Sequence, residues 1–239
     1  MDKLKPFLSK LDGKKIPVGC CIDELLNGGV ETKIITQVYG PPASGKTNVC
    51  LQVALNCIKN GKKVIFIDTE GGHSLERVKQ IAGTEFEKFI ENSMFFAPVN
   101  FGEQNKIIEN LGSIVSEKLG LIVLDSAVSL YRIGTEEDKV QNLNRLMSKQ
   151  LASLSGLARK HDIVVIVTNQ IYASPKDGSA EPIGGNILKY WSKATIELQN
   201  DGMGVRGAIL IRHRSMPEGL KTKFVISGDG LRDYIETGP

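Results

Sequence analysis

Gly40-Pro41-Pro42-Ala43-Ser44-Gly45-Lys46-Thr47 follows a short β-rich run, Ile34 to Tyr39, and precedes a helical stripe running from Thr47 to Asn60. The eight residues satisfy GxxxxGK[ST] in the context that gives the pattern meaning, a strand before and a helix after. The glycines let the backbone curl so that successive N–H groups point inward, and the helix adds the positive end of its dipole. Such a cradle suits the phosphates of a nucleotide. Lys46 is placed to reach the β- and γ-phosphates and Thr47 to set its hydroxyl on a metal, so the expected ligands are ATP and Mg²⁺. A tight glycine turn without nucleotide is the plainer reading, and the correct flanks on both sides weigh against it.

Outward from this segment, strands and helices alternate. Val49, Cys50, Val53, Ala54, Cys57 and Ile58 form the apolar stripe of the helix, closed by Gly61. Val64-Ile65-Phe66-Ile67 is a continuous apolar strand, the pattern expected when helices cover both faces of a sheet. Thr84 with Glu87 three residues on is a capping-box signature, and Met94 to Ala97 reads as another strand. Ile107, Ile108, Leu111, Ile114 and Val115 mark an amphipathic helix expected to end at Gly120. Leu121-Ile122-Val123-Leu124 is a buried strand ending in Asp125, followed by a long helix from about Glu137 to Arg159 and a strand from Ile163 to Val167. After Lys193 the rhythm becomes β, with Ala194–Leu198, Gly207–Ile211 and Phe224–Ile226 separated by turns at Asn200-Asp201-Gly202 and Gly228-Asp229-Gly230. The expected fold class is α/β: a mainly parallel twisted sheet flanked by helices, with antiparallel strands at the C-terminal edge.

The 239 residues fit one such domain, taken as 16–239, preceded by an N-terminal arm over 1–15 that holds five lysines and Leu4, Phe7, Leu8 and Leu11 at helical spacing. A formal charge of +3 is too small to argue for nucleic acid by itself. Cys20, Cys21, Cys50 and Cys57 lack CxxC spacing and a nearby histidine, which favours small buried thiols in a reducing cytosol over zinc. No apolar run approaches the ~20 residues needed to span a bilayer, and the first residues lack a secretory stretch. The expected location is cytoplasmic, with no membrane partner.

Two carboxylates stand at strand ends. Asp125 closes an apolar strand, where a carboxylate is costly to bury unless a metal compensates it; a helix cap or loop residue is the bland alternative. In one large group of P-loop ATPases a catalytic glutamate directly follows this aspartate, but here Ser126 follows it. Glu70, in Ile67-Asp68-Thr69-Glu70-Gly71-Gly72, instead ends the strand after the phosphate-loop helix. Parallel strands present their C-terminal ends to one rim, which puts Glu70 within reach of a water in line with the γ-phosphate.

Taken together these segments resemble the RecA/RadA recombinase family, through most of the chain. Ile22-Asp23-Glu24-Leu25-Leu26-Asn27-Gly28-Gly29-Val30 is similar to that family's lead-in to its first core strand, and Phe66 to Gly72 to its catalytic-glutamate segment. Leu121 to Ser126, extended by Ala127-Val128-Ser129-Leu130-Tyr131-Arg132, resembles its Walker B strand and the start of its first DNA-facing loop. Thr168-Asn169-Gln170 resembles the strand end that senses the γ-phosphate, and Pro182-Ile183-Gly184-Gly185-Asn186 the return from the second DNA-facing loop. A lead-in starting near Ile16 leaves no room for the helical N-terminal domain of full recombinases, and His213 to Gly219 is similar to the late segment of a short paralogue.

The resemblance implies a RecA-like P-loop ATPase core, DNA repair and homologous recombination, and ATP bound near an interface between subunits, hence a homo-oligomer. By this likeness Gln170 is the hinge between γ-phosphate and DNA loop, Arg77 lies near the adenine, and Arg212 and Arg214, two apart on one strand face, reach a neighbour's phosphates as arginine fingers. DNA contacts fall to Arg132, Tyr172 and Lys176. Two departures bear on activity. The family's polymerising Phe-x-x-Ala has Lys10 in its last place, and the candidate second DNA loop, Ile171 to Ile183, has Lys176 as its one cation beside Asp177 and Glu181. The expected protein is therefore an accessory, weakly hydrolysing paralogue that binds single-stranded or branched DNA modestly and modulates a RadA-type recombinase. The alternatives are a DNA-stimulated, filament-forming ATPase and a nucleotide-gated binding module with vestigial hydrolysis.

Overall fold

The computed structural model describes residues 13–133, 140–173, 180–182 and 185–236. A short ladder of β1 (Lys15–Ile16) and β2 (Val30–Glu31) brackets the helical turn α1 (Ile22–Leu25). The core then runs β3 (Ile35–Gly40), α2 (Lys46–Lys59), β4 (Lys63–Asp68), α3 (Leu75–Ala82), α4 (Phe86–Glu91), β5 (Ser93–Phe96), α5 (Phe101–Ile114), β6 (Leu119–Asp125), α6 (Ser129–Ile133), α7 (Val140–His161) and β7 (Val164–Ala173). It closes with β8 (Ala180–Pro182), α8 (Gly185–Trp191), β9 (Ser192–Gly202), β10 (Val205–Arg212), β11 (Lys221–Ser227) and β12 (Gly230–Asp233).

These strands form one sheet in the order β12-β11-β10-β9-β3-β7-β6-β4-β5, with β8 paired to β7. From β9 to β5 the neighbours are parallel, and from β9 to β12 they are antiparallel. The expected mainly parallel sheet with an antiparallel C-terminal edge is what the chain adopts. The continuous apolar runs divide by alternation. Val64, Phe66, Leu121, Val123, Val164 and Ile166 face α2, α3 and α4, while Ile65, Ile67, Ile122, Leu124, Val165 and Val167 face α5 and α7.

Several local expectations need correction. Thr84 lies in a 3₁₀ turn, Gly83–Glu85, and α4 starts from Glu85 without a side-chain cap; the cap in this region is Ser74, whose hydroxyl accepts from the Arg77 N–H at 3.3 Å. The helix expected to reach Gly120 stops at Ile114, and Gly120 sits inside β6. A Cβ there would come within 2.6 Å of Cys57 Sγ and 2.8 Å of Lys62 Cβ, so that glycine serves close packing against the end of α2. Asn200 to Gly202 belong to β9, and the hairpin turns instead at Met203-Gly204, both with positive φ. The arm expected over 1–15 lies outside the described residues, apart from Gly13 to Lys15.

Candidate nucleotide-binding site

β3 carries the chain to the C-terminal rim of the parallel strands at Gly40. A Cβ at Gly40 would lie 2.4 Å from the Leu198 carbonyl oxygen, so only glycine lets the chain turn there. Gly45, at φ 104°, is the N-cap of α2 and brings no side-chain acceptor, which leaves the first N–H groups of the helix for an anion. Ser44 Oγ is buried and, among the described residues, has no hydrogen-bond partner. Lys46 is 8% exposed, and its ammonium donates to the carbonyl oxygens of Gly40 (3.0 Å) and Pro41 (2.9 Å). Burial lowers its pKa, with Asp125 and Glu70 opposing that shift. A helix start without a side-chain cap, an orphan hydroxyl and an ammonium resting on its own loop fit a polyphosphate.

Beside the loop, Thr47 in the first turn of α2 donates through Oγ1 to Asp125 Oδ2 at 2.7 Å, and Thr168 Oγ1 donates to Asp125 Oδ1. Asp125 is 4% exposed at the end of β6. A hydroxyl and a carboxylate oxygen are a hard donor pair of the kind that Mg²⁺ takes. The expected partners Thr47 and Asp125 are therefore in contact.

Register explains how the remaining residues meet. β4 pairs with β6 so that Asp68 lies opposite Asp125, and β3 pairs with β7 so that Gly40 lies opposite Gln170. The chain leaving β4 winds round Asp68. Its Oδ1 accepts from the N–H groups of Glu70 (3.0 Å), Gly71 (2.8 Å) and Gly72 (3.3 Å), and its Oδ2 from the His73 N–H at 3.1 Å. Burial pushes the Asp68 pKa up, but the neighbouring His73 and these amides outweigh it and hold the carboxyl well below the usual range. The His73 ring is buried against Phe66, with Nδ1 2.9 Å from Asp68 Oδ2 and Nε2 4.0 Å from Asp125 Oδ2. The loop so wound delivers Glu70, whose Oε1 accepts from Ser126 Oγ at 2.6 Å and from Gln170 Nε2 at 2.9 Å.

Arg77 joins three elements: Nε donates to Asn48 Oδ1 (2.7 Å), and Nη1 to Gln80 Oε1 (2.9 Å) and to the Gly228 carbonyl (3.1 Å). The shared strand face expected for Arg212 and Arg214 does not exist, because β10 ends at Arg212. Arg212, opposite Thr195 and thus level with Gln37 of β3, donates to the Lys189 carbonyl at 2.8 Å, and Arg214 pairs with Glu31. The β10 arginine at this chain's own phosphate loop is Arg206, which donates through Nε to the Ala43 carbonyl at 3.1 Å. Arg132 is the fourth residue of α6, a helix whose Leu130 and Tyr131 are buried, and Tyr172 lies in β7 opposite Glu181 of β8. Lys176 lies outside the described residues.

Asp68, His73, Ser126, Thr168 and Arg206 are the members of this site that residue-by-residue reading missed. The aspartate alone left a signal, since Asp before Thr-Glu-Gly-Gly is an Asx-turn pattern.

A phosphate loop after the third strand, a metal-type pair across β6, and a glutamate at the end of β4 together define a RecA-like P-loop ATPase core. A family model described as Rad51 matches residues 15–234. The chain is 46% identical over 212 residues to "DNA repair and recombination protein RadB" of Methanococcoides burtonii, covering 88% of this chain and 94% of that protein. It is 44% identical over 227 residues to the protein of the same name from Methanobrevibacter smithii, covering 92% and 96%. A solved structure described as the RadB recombinase superposes with a TM-score of 0.80 at 36% identity, over 92% of this chain and 100% of that one. The chain belongs to the Rad51 family. Among the described residues no helix is long and apolar enough to cross a membrane.

Proposed function

We propose that this protein is an ATP-binding, slowly hydrolysing recombinase paralogue of DNA repair and homologous recombination, working in the cytoplasm on DNA and on a RadA-type recombinase. The observation that carries the reading is the meeting of Glu70 with Gln170 and Ser126 on the rim that also holds Lys46, Thr47 and Asp125. Gly40 to Thr47 bind the phosphates, with Lys46 leaving its loop carbonyls for them, and Arg77 flanks the base. Thr47 and Asp125 hold Mg²⁺, which when bound neutralises charge developing on the phosphates. Glu70 orients and polarises the attacking water. Both of its donors sit on Oε1, so Oε2 is the oxygen left for that water.

Gln170 is the coupling residue in this reading. Its amide donates to Glu70 and can donate to a phosphate instead without adding charge. It lies in the same strand as Tyr172, where β7 continues into its hairpin with β8, so nucleotide state and the candidate DNA segment share one strand. Arg132, Tyr172 and Lys176 contribute DNA contacts, and Arg212 and Arg214 meet the nucleotide of a neighbouring protomer. The test is steady-state ATP hydrolysis by the wild type and by Glu70→Gln, with and without single-stranded DNA. Slow turnover that the variant abolishes while keeping ATP affinity is expected. Turnover surviving in Glu70→Gln would sink the assignment, and many-fold stimulation by DNA would replace the accessory role with that of a productive recombinase.

A further inference from the structure

The four cysteines divide into two pairs once the chain is folded. Cys50 and Cys57 are buried in α2, as expected of small apolar side chains, whereas Cys20 and Cys21 are half-buried and stand together just before α1. A third donor joins them from the other end of the chain. The sulfurs of Cys20 and Cys21 and a carboxylate oxygen of Asp233, in β12, all lie within 4.8 Å of one another. Among the described residues no other three histidine, cysteine or acidic side chains bring their donor atoms so close. Spacing in the sequence could not reveal this set, because Asp233 lies 212 positions beyond Cys21.

The backbone fixes these side chains and leaves their donor atoms accessible. Asp23 accepts the Val18 N–H on Oδ1 (2.7 Å) and the Gly19 N–H on Oδ2 (2.8 Å), which winds the segment carrying both cysteines round one carboxylate. Asp233, opposite Phe224 in the β11–β12 pair, accepts the Cys21 N–H on Oδ1 at 2.6 Å, and Oδ2 is the oxygen left for another partner. The Cys21 thiol rests on the Lys223 carbonyl at 3.1 Å.

The adjacent cations are engaged elsewhere, Lys223 with Asp201 and Arg232 with Asp229. Burial pushes the Cys20 thiol up to about 12, and Cys21, Asp23 and Asp233 push it the same way. Burial also raises the Cys21 thiol, with Asp233 and Glu24 adding to the effect. Two thiols and a carboxylate with no lysine or arginine paired to them are a donor set short of positive charge. A bound metal reverses that balance by displacing the thiol protons.

We infer that Cys20, Cys21 and Asp233 form a site for a thiophilic divalent cation of the zinc type, with water as its fourth ligand. Two sulfurs and one oxygen are ligand types that zinc takes, and tetrahedral Zn–S bonds of about 2.3 Å set two sulfurs about 3.8 Å apart. Donors already within 4.8 Å reach that spacing by small side-chain rotations. Mg²⁺ prefers an all-oxygen octahedron, so this site does not compete with Thr47 and Asp125 for it. Binding sends both thiol protons to solvent and forms two metal–sulfur bonds and one metal–oxygen bond. Exposed Asp233 and the half-buried cysteines give the ion its way in. The ion joins the segment before α1 to the last strand, and a clip that closes so long a loop acts on the stability of the fold.

The probe is Co²⁺, titrated into the reduced full chain with magnesium in excess and no nucleotide, then displaced by Zn²⁺. Thiolate-to-cobalt charge transfer reports sulfur ligation, and visible d–d bands report tetrahedral geometry. The wild type is expected to show both on binding a single equivalent. Zn²⁺ at roughly a hundredfold its Kd is expected to raise the melting temperature by about 5 °C. Cys20→Ser/Cys21→Ser is expected to lose the charge-transfer band. Asp233→Asn keeps an oxygen for the Cys21 amide, and so the local fold, and is expected to bind Co²⁺ roughly tenfold or more weakly.

Absence of the charge-transfer band in the wild type overturns the site. A band that survives in the double serine variant also overturns it, because the metal then sits on Cys50 or Cys57. Equal affinity in Asp233→Asn and the wild type removes the carboxylate from the ligands, and the assignment falls. Should the double serine variant fail to fold, Asp233→Asn decides alone.

Discussion

At the C-terminal rim of the parallel strands, both oxygens of buried Asp125 are taken by threonine hydroxyls, and Asp68 gathers four backbone N–H groups. Along a groove beside α8, Lys193 lies exposed and Arg212 half-exposed, each resting on a single helix-end carbonyl. The first region places charge where water cannot compensate it, so every charge has to be met by a local partner. The second leaves its charges in water, where they are weakly held and available. Substitutions at the rim should therefore act in large, specific steps, and those in the groove in small, salt-dependent ones.

The largest step is expected from Lys46→Ala. Removing a buried ammonium from a phosphate cradle should weaken ATP binding by roughly 100-fold, read by calorimetric titration. Affinity within a few-fold of the wild type would break the comparison, because the rim would then tolerate an unmet charge. Glu70→Gln comes next: turnover should fall by roughly 100- to 10,000-fold while ATP affinity changes little, since the amide keeps the shape but not the basicity. Ser126→Ala sharpens this by removing one of the two donors on Glu70 Oε1; a milder loss of turnover, not of binding, is expected.

Asp68→Asn probes the winding of the Glu70 loop through stability. The folded carboxyl sits well below its ordinary value, so the stabilisation it brings is complete above the unfolded pKa of ~3.9 and is lost as pH falls below that toward the folded value. At neutral pH the variant should be less stable by about 1.5–3 kcal/mol, the range for hydrogen bonds to a charged group. Denaturant melts from pH 7 to pH 3 should show the gap narrowing below about pH 4. A gap that stays constant across that range would mean that the amides are satisfied without the charge.

How much of this was legible follows from which contacts are local. The phosphate loop is contiguous, and strand-end carboxylates announce themselves by ending apolar runs, so Lys46, Thr47, Asp125 and Glu70 could be read one residue at a time. Ser126 and Thr168 acquire their partners only through the register of β6 between β4 and β7, which no single strand encodes. Gly120 failed for the same reason: it resembled a helix stop, but its role is set by Cys57 and Lys62 across the fold. The Thr84–Glu87 pattern offered a cap that the chain did not use, because the turn tightened into 3₁₀ geometry before α4 began. Arg206 and the groove cations were invisible as a set, since residues from α7, α8, β9 and β10 converge only after the sheet is assembled.

Lys193→Ala is expected to have the smallest effect on the folded protein, and it tests the other half of the comparison. The side chain is exposed, its hydrogen bond goes to a helix-end carbonyl that water can satisfy, and its ring contact with Tyr190 is a surface one. Its loss should change stability by no more than about 0.5 kcal/mol and leave ATP binding untouched. A drop of several degrees in the melting temperature would show that the groove is held together by its cations, as the rim is by its carboxylates. The two regions would then follow one rule, with charge serving structure on both sides of the sheet.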